Sequence, residues 1–288
     1  MSTFENCGTG NVKSVRSSDC APTLFTRKVA FSKIDFSFAN ADAAKAKANW
    51  DTAIANGDIY VFTEIQNVES QNVEPVFEQL LTKTIQVQPS IKQTQFQYVE
   101  SDCVHSAIRT FNNTSWLMYE FSEGDLFKAI EETDGTIKGQ KVQVFVDIQT
   151  TAIGAESGKT NVVVRYNDPF EYEKKGSVLK LDTVFGDLEG AATVSIEEVG
   201  TSLATQINLD AKLACGGDDV TTLVLADFLV KDGAGVTVVP SSVTYNATSG
   251  LYEIVGTGFA NGYTVEIVPK ITPEIIYTGG NIVTVANI

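Results

Sequence analysis

Alternation of polar and apolar side chains is the dominant pattern in the first two thirds of the chain. It runs through residues 30–38, 83–99, 142–148 and 161–166. A period of two residues is typical of β-strands that bury one face against a core and expose the other to water. The sequence therefore predicts antiparallel sheets with one buried face and one solvated face.

Two segments have the wider spacing of apolar residues that indicates a helix. Residues 40–57 begin at a potential N-cap, Asn40, continue through an alanine-rich stretch and end at an Asn-Gly pair. Residues 122–135 begin with a Ser-x-x-Asp capping pattern formed by Ser122 and Asp125. The apolar stripes are Trp50, Ala53 and Ile54 in the first segment and Leu126, Phe127 and Ile130 in the second. We predict a helix in each segment.

One long β-hairpin is predicted for residues 87–121. Pro89 is the only strand breaker in this stretch, and the turn is expected near residues 100–102. A long hairpin on a compact domain has unpaired edges, which favour aggregation unless a neighbouring subunit covers them. We therefore expect the chain to self-assemble through this element.

The last third of the chain contains short strand candidates separated by Gly- and Asn-rich turns. They are residues 204–213, 221–231, 236–239, 242–245, 251–255, 263–268 and 275–285. Seven strands over this length are typical of a β-sandwich, and the glycine-containing residues 185–192 are the predicted connection to it. The predicted fold is mainly β. An N-terminal antiparallel β-sandwich or barrel-like domain with one or two helices, residues 1–192, precedes a C-terminal Ig-like β-sandwich, residues 193–288.

The chain is strongly acidic, with 36 acidic and 21 basic residues and a net charge of -15. Both parts contribute, since ten acidic and three basic residues lie from Gly190 onward. Binding to nucleic acid or anionic lipid needs clustered basic residues, and this chain has nothing larger than doublets such as Lys174-Lys175. A conduit through which nucleic acid slides without binding would suit such a negative surface.

No membrane association or export is expected from the sequence. No apolar run approaches the roughly 18 residues that a membrane-spanning helix needs. The N-terminus has no basic segment followed by an apolar one, so no secretory signal is recognised. These features predict a protein that is made and assembled inside a cell.

Residues suited to catalysis or metal binding are few. His105 is the single histidine, and it lies in a segment that reads as a strand, two residues after Cys103. A Cys/His nucleophile would need an orienting partner that the sequence does not identify, so packing in a core or interface is the favoured interpretation. The four cysteines, Cys7, Cys20, Cys103 and Cys215, contain no CxxC pair. Thiols are the favoured interpretation, with a Cys7–Cys20 bond as the alternative.

Two further motifs do not meet the requirements of the sites that they resemble. Residues 154–160 look like a phosphate-binding loop but have three residues between the glycines, where the motif needs four, and they precede a strand. Asp218 and Asp219 form an acidic pair after Cys215, but calcium needs more oxygen ligands than this turn supplies. We predict no enzymatic activity, no catalytic or metal-binding residue and no cofactor.

The C-terminal strands carry a family resemblance. Residues 227–230, 238–245, 250–254 and 261–265, with their Tyr-rich strands and Asn-Gly turns, resemble bacterial and phage Ig-like repeats. The Cys and Trp signature of antibody domains is missing from this part. The resemblance implies an Ig-like fold, and it specifies no ligand.

Domain order, size and acidity together resemble a bacteriophage tail tube protein with a C-terminal Ig-like domain. The resemblance implies stacked, hexameric rings whose inner sheets form a continuous barrel, loops that contact the next ring, and an electronegative lumen for DNA. It also implies contacts with other virion proteins and a location in the virion after assembly in the host cytoplasm. A capsid decoration or head fibre protein is one alternative. A carbohydrate-binding adhesion module is another, with Tyr245, Tyr252, Phe259 and Tyr263 as its available aromatic residues.

Overall fold

The chain forms two compact units, Met1–Gly190 and Ala191–Ile288. The computed structural model describes residues 4–5, 26–62, 65–99, 102–150, 158–272 and 275–288. The expectation of a mainly β fold with several antiparallel sheets is confirmed.

The helices are α1 Ala41–Lys45, α2 Lys47–Ala55, α3 Asp102–Ile108 and α4 Glu171–Lys175. The strands of the first unit are β1 Phe4–Glu5, β2 Lys28–Ser32, β3 Ile59–Phe62, β4 Ile65–Ser70, β5 Val76–Gln79, β6 Thr84–Gln88, β7 Gln93–Tyr98, β8 Thr114–Ser122, β9 Leu126–Glu131, β10 Ile137–Lys138, β11 Gln140–Val146, β12 Thr160–Tyr166 and β13 Gly176–Lys180. The strands of the second unit are β14 Ala192–Glu198, β15 Gln206–Leu213, β16 Phe228–Lys231, β17 Thr237–Val238, β18 Ser242–Asn246, β19 Leu251–Val255, β20 Thr264–Ile267, β21 Lys270–Ile271, β22 Ile276–Gly279 and β23 Ile282–Thr284.

The main sheet of the first unit is built around β8. Its strand order is β1-β13-β9-β8-β11-β12-β7-β4, with β2 paired to both β3 and β8 and with β10 paired to β9. The first half of β8 pairs with β11 and its last residues pair with β9. The order ends at β1 on one side and β4 on the other, so the described sheet is open.

Both faces of this sheet are covered at β2 and β8. All five residues of β2 are buried. Val29 lies in a core with Met118 on one face of the sheet. On the other face, Tyr119 lies 5.0 Å from the Trp50 ring of α2, between ring centroids. The prediction of one buried and one solvated face is therefore wrong for β2, and the predicted strand ends at Ser32 rather than at Phe38.

The predicted helix over residues 40–57 is confirmed, with one interruption. Asn40 caps α1 by accepting a hydrogen bond from the Ala43 N–H at 2.8 Å. Ala46 then adopts an extended conformation, so α2 begins as a separate helix. The Trp50 side chain is fully buried, and its Nε1 donates to the Ala44 carbonyl at 2.7 Å. This bond holds the two helices together.

The predicted helix over residues 122–135 is wrong. Gly124 and Asp125 both have positive φ, 77° and 64°, a conformation that makes a tight turn and cannot continue a helix. β8 therefore ends at Ser122, and β9 returns beside it with Phe127 and Ala129 buried. Pairing with β8 and β13 outweighs the helix-like spacing of the apolar residues.

The predicted hairpin over residues 87–121 is also wrong. α3 and a 3₁₀ turn, Arg109–Phe111, separate β7 from β8. β7 pairs with β12 and β4, and β8 pairs with β2, β9 and β11. Residues 100 and 101 of the predicted turn lie outside the described residues. A long hairpin is instead formed by a different part of the chain, from residue 65 to residue 98.

The second unit is a sandwich of two sheets. One has the order β18-β19-β15-β14-β22-β21 and the other has the order β17-β16-β20-β23. The core between them contains Ile207, Tyr252, Ile254 and Val265. The β14–β22 pair is parallel, whereas the other neighbouring pairs are antiparallel.

Several strands of the second unit differ from their predicted bounds. β14 was not among the predicted strands, because its residues 192–198 adjoin the glycine-rich connection. Only Phe228–Lys231 of residues 221–231 forms a strand, since a 3₁₀ turn at Leu225–Asp227 precedes it. Residues 275–285 contain two strands, β22 and β23, separated by Gly280 and Asn281. β19 matches its prediction.

Candidate assembly surface

A continuous β-hairpin runs from residue 65 to residue 98, and we call it the arm. β4 pairs with β7 at its base and β5 pairs with β6 at its far end. Reciprocal hydrogen bonds between Val73 and Ile91, at 2.9 and 3.0 Å, join the two ladders. The Leu80 N–H donates to the Lys83 carbonyl at 2.8 Å and closes the tip around Leu81 and Thr82. At about 3.3 Å per residue, the arm is roughly 50 Å long.

Hydrogen bonds between amide side chains connect the strands at the base of the arm. Asn67 Nδ2 donates to Gln97 Oε1 at 2.7 Å, and Gln71 Nε2 donates to Gln95 Oε1. Phe96 and Tyr98 of β7 are buried in the core of the first unit. The base of the arm is thus anchored by β7.

The far end of the arm, residues 76–88, is exposed along its whole length and is apolar at many positions. We call it the distal arm. Its exposed large apolar side chains are Val76, Phe77, Leu80, Leu81, Ile85 and Val87. A ribbon of two strands with no covered face is marginally stable in water. Exposed apolar strands of this length mark an interaction surface.

The apolar side chains of the distal arm lie on both faces of the ribbon. Side chains alternate along a strand, and directly paired residues share a face. Phe77 pairs with Gln86, whereas Glu78 pairs with Ile85 on the opposite face. A register shift after Val76 makes Val87 the extra residue of a β-bulge. The aliphatic face is Val76, Leu80 and Ile85, and Phe77 projects from the other face.

The arm is nearly neutral in a chain of net charge -15. Residues 65–98 contain three glutamates and two lysines. Repulsion between like-charged molecules therefore acts weakly on this segment compared with the rest of the surface. The sequence signals for the distal arm are Pro75 and Pro89, which bracket it, and the alternation of Thr84–Gln88 between them. Sequence analysis identified the second strand and missed its partner.

The first unit also contains a buried polar network centred on Glu120. The Glu120 carboxylate accepts hydrogen bonds from Tyr166 Oη at 2.7 Å, Lys128 Nζ at 2.7 Å and Thr26 Oγ1 at 2.9 Å. Burial acts to raise the pKa of Glu120, but the Lys128 charge and these hydrogen bonds outweigh it and lower the pKa below its usual value. Burial, with the Glu120 charge, raises the pKa of Tyr166 well above 10. Both carboxylate oxygens are occupied, so the network ties together β8, β9 and β12.

Glu120→Gln should lower the free energy of unfolding by about 2–4 kcal/mol at neutral pH, because it leaves the Lys128 ammonium without its partner. The native pKa of Glu120 lies below its unfolded value of about 4.3, so its contribution is complete above that value and is lost as the pH falls through the native pKa. In urea denaturation, the difference in the free energy of unfolding between wild type and variant should therefore be constant from pH 6 to 8 and shrink below about pH 4. Asp58→Asn, which breaks an exposed ion pair with Lys33, is the control and should change little. Equal stability of the Glu120 variant at pH 7 would contradict this assignment.

His105 lies in α3 rather than in a strand. The side chain is buried, and Nδ1 lies 2.6 Å from Thr160 Oγ1. Cys103, two residues away on the same helix, is exposed, so the expected common face is wrong. Packing in a core, the favoured interpretation for His105, agrees with this position.

Neither Cys103 nor Cys215 is a thiol, because both are disulfide-bonded. The prediction of thiols is therefore wrong for these two residues, and Cys7 and Cys20 lie outside the described residues. Disulfides persist in oxidising surroundings such as the exterior of cells and virions.

The remaining motifs show no arrangement for chemistry. Residues 154–157 of the phosphate-loop candidate lie outside the described residues, and Thr160 begins β12. Asp219 Oδ1 lies 4.0 Å from Lys212 Nζ. Lys175 Nζ, at the end of α4, lies 2.6 Å from Glu132 Oε2. Within the described ranges, no group of three His, Cys, Asp or Glu side chains is arranged to hold a metal.

The four aromatic residues considered for sugar binding belong to the sandwich core. Tyr252 and Phe259 are buried, and Tyr245 and Tyr263 pack against them. The Tyr252 hydroxyl accepts a hydrogen bond from the Leu223 N–H at 3.0 Å, and burial raises the pKa of this phenol to about 12. These side chains therefore stabilise the fold.

No protein-family model matches the chain, and no curated protein matches it significantly. Among the described residues, no helix has the length and apolar character needed to span a membrane.

Proposed function

We propose that this chain is a structural protein of a bacteriophage virion, a tail tube protein that assembles into stacked rings around a passage for DNA. The observation that carries the proposal is the distal arm, whose six large apolar side chains are exposed to solvent. An isolated chain gains nothing from such an element, and an assembly buries it. The arm makes the contact between copies, and no enzymatic step is involved.

The open main sheet supports lateral assembly. Among the described residues, its strand order ends at β4 on one side and at the two-residue strand β1 on the other, where β1 pairs with Ser177 and Val178 of β13. Strand edges of this kind pair with strands of another chain. Neighbouring copies that joined these edges would continue the sheet around a ring.

The charge of the chain suits a conduit. With 36 acidic and 21 basic residues, the surface repels phosphate, so DNA passes without binding. The second unit, with ten acidic and three basic residues from Gly190 onward, adds charge that keeps the assembly soluble. The disulfide-bonded Cys103 and Cys215 suit a protein that ends in a virion outside the host cell.

Electron microscopy of the purified chain at high concentration tests the proposal. We expect rings or tubes, with hexameric symmetry in end views. A flat lattice in place of rings would favour the capsid decoration alternative. A strict monomer at all concentrations and salt conditions would overturn the proposal.

A further inference from the structure

The distribution of apolar side chains on the distal arm constrains how the arm is buried. A ribbon that lies flat on a surface buries one face and leaves the other in water. In residues 76–88 the aliphatic face carries three side chains, Val76, Leu80 and Ile85, and the opposite face carries Phe77. The Phe77 side chain is 58% exposed and Val76 is 47% exposed, so the described residues cover neither face.

We infer that the distal arm inserts between two other copies of the chain, with its aliphatic face on one copy and Phe77 on the other. The inference rests on the proposed self-assembly and specifies its geometry. A second copy is the favoured occupant on grounds of charge, because the arm contains three glutamates and two lysines in a chain of net charge -15. The arm therefore approaches another acidic copy with less repulsion than a segment of average charge in this chain.

The two faces differ in the contact that they can make. Val76, Leu80 and Ile85 form a broad, low surface that suits an equally flat apolar partner. Phe77 is a single aromatic side chain beside Gln79 and Gln86, and an isolated aromatic residue with polar neighbours is typical of an anchor that fills a pocket. Two different contacts would let one arm join two copies and fix their spacing.

Photo-cross-linking in a doped assembly tests this geometry. A small amount of tagged protein with p-benzoylphenylalanine at position 77, at position 85 or at both is co-assembled with excess untagged wild type and irradiated. Each doped copy then has only wild-type neighbours, so the number of copies joined to the tag counts the copies that its arm touches. Irradiated samples diluted below the assembly concentration and unirradiated samples are the controls.

The two single variants should give tagged dimers, and the double variant should also give tagged trimers. Dimers from both single variants without trimers from the double variant would place both faces on one copy and overturn the two-copy insertion, while self-assembly through the arm would stand. Dimers from the position 85 variant without dimers from the position 77 variant would also overturn the two-copy insertion, while self-assembly through the arm would stand. Assemblies that form but give no cross-link from either position would instead contradict the arm as the contact between copies. Because both positions are exposed in the isolated chain, misfolding is not expected, and circular dichroism of each variant checks it.

Discussion

Replacing residues 75–89 with an Asn-Gly turn should leave a folded protein that no longer assembles. The replacement joins Glu74 to Ser90 just beyond the Val73–Ile91 pair, where a two-residue hairpin turn fits the ribbon. Burial of one valine, leucine or phenylalanine side chain contributes about 1.5–3 kcal/mol to the free energy of association. Loss of two such side chains from the contact between copies therefore weakens association by roughly 100-fold or more. Mass photometry over a concentration series measures the effect.

Point variants separate loss of the apolar contact from loss of the ribbon. Phe77→Ser combined with Val87→Ser should weaken assembly strongly, whereas Thr84→Ser and Gln86→Asn, polar changes on the same strand, should have little effect. Thermal unfolding should be nearly unchanged in all of them, because exposed side chains contribute little to the fold. Assembly that survives the replacement of residues 75–89 would show that copies meet through another surface.

Trp50→Ala should destabilise the first unit by about 3–5 kcal/mol, because it removes the largest fully buried side chain. The Trp50 ring lies within 5.5 Å of the Phe38, Tyr119, Phe121 and Phe127 rings, measured between centroids, and its Nε1 bonds to Ala44. The variant therefore loses both the packing that holds α2 on the sheet and the bond between α1 and α2. Urea denaturation followed by circular dichroism measures the change.

Trp50→Phe and Leu81→Ala are the matched controls for this prediction. Trp50→Phe keeps an aromatic ring and loses the hydrogen bond, so its cost should be smaller than that of alanine. Leu81 is fully exposed at the tip of the arm, and its replacement should not change the stability of the fold. A cost for Trp50→Ala below about 1 kcal/mol would contradict the placement of this side chain at the centre of a core.

Local signals predicted structure where no long-range pairing opposed them. In residues 40–57, the Asn40 cap, the alanine-rich body and the final glycine agree with one another, and the helices form. In residues 122–135, the cap-like Ser122 and the apolar stripe indicate a helix, but positive φ at Gly124 and Asp125 makes a turn. β9 is held by its pairs with β8 and β13, and those partners are distant in sequence.

The sequence predicted a long hairpin but assigned it to the wrong residues. The alternation of residues 83–99 indicated strand, and a long hairpin with exposed edges was expected. The partner strand was assigned downstream because residues 102–108 were interpreted as strand, although Val104, Ile108 and Phe111 have helical spacing and pack in the core. The true partner, residues 65–79, is polar at many positions because it is exposed, so no apolar alternation marks it.

The second unit shows the same limit. β14 pairs with β15 in antiparallel and with β22 in parallel orientation, and it follows a connection that reads as irregular. Its buried residues, Val194 and Ile196, are only two positions in a polar stretch. A strand with so few apolar residues is identified by its neighbours in the sheet and not by its own sequence.

Cryo-electron microscopy of the assembled particle tests the central claim, that copies of the chain join through the arm, most directly. The account predicts density for residues 76–88 buried between copies, with Phe77 and Val87 in contact with other chains. A particle in which these residues project into solvent while copies meet elsewhere would contradict it.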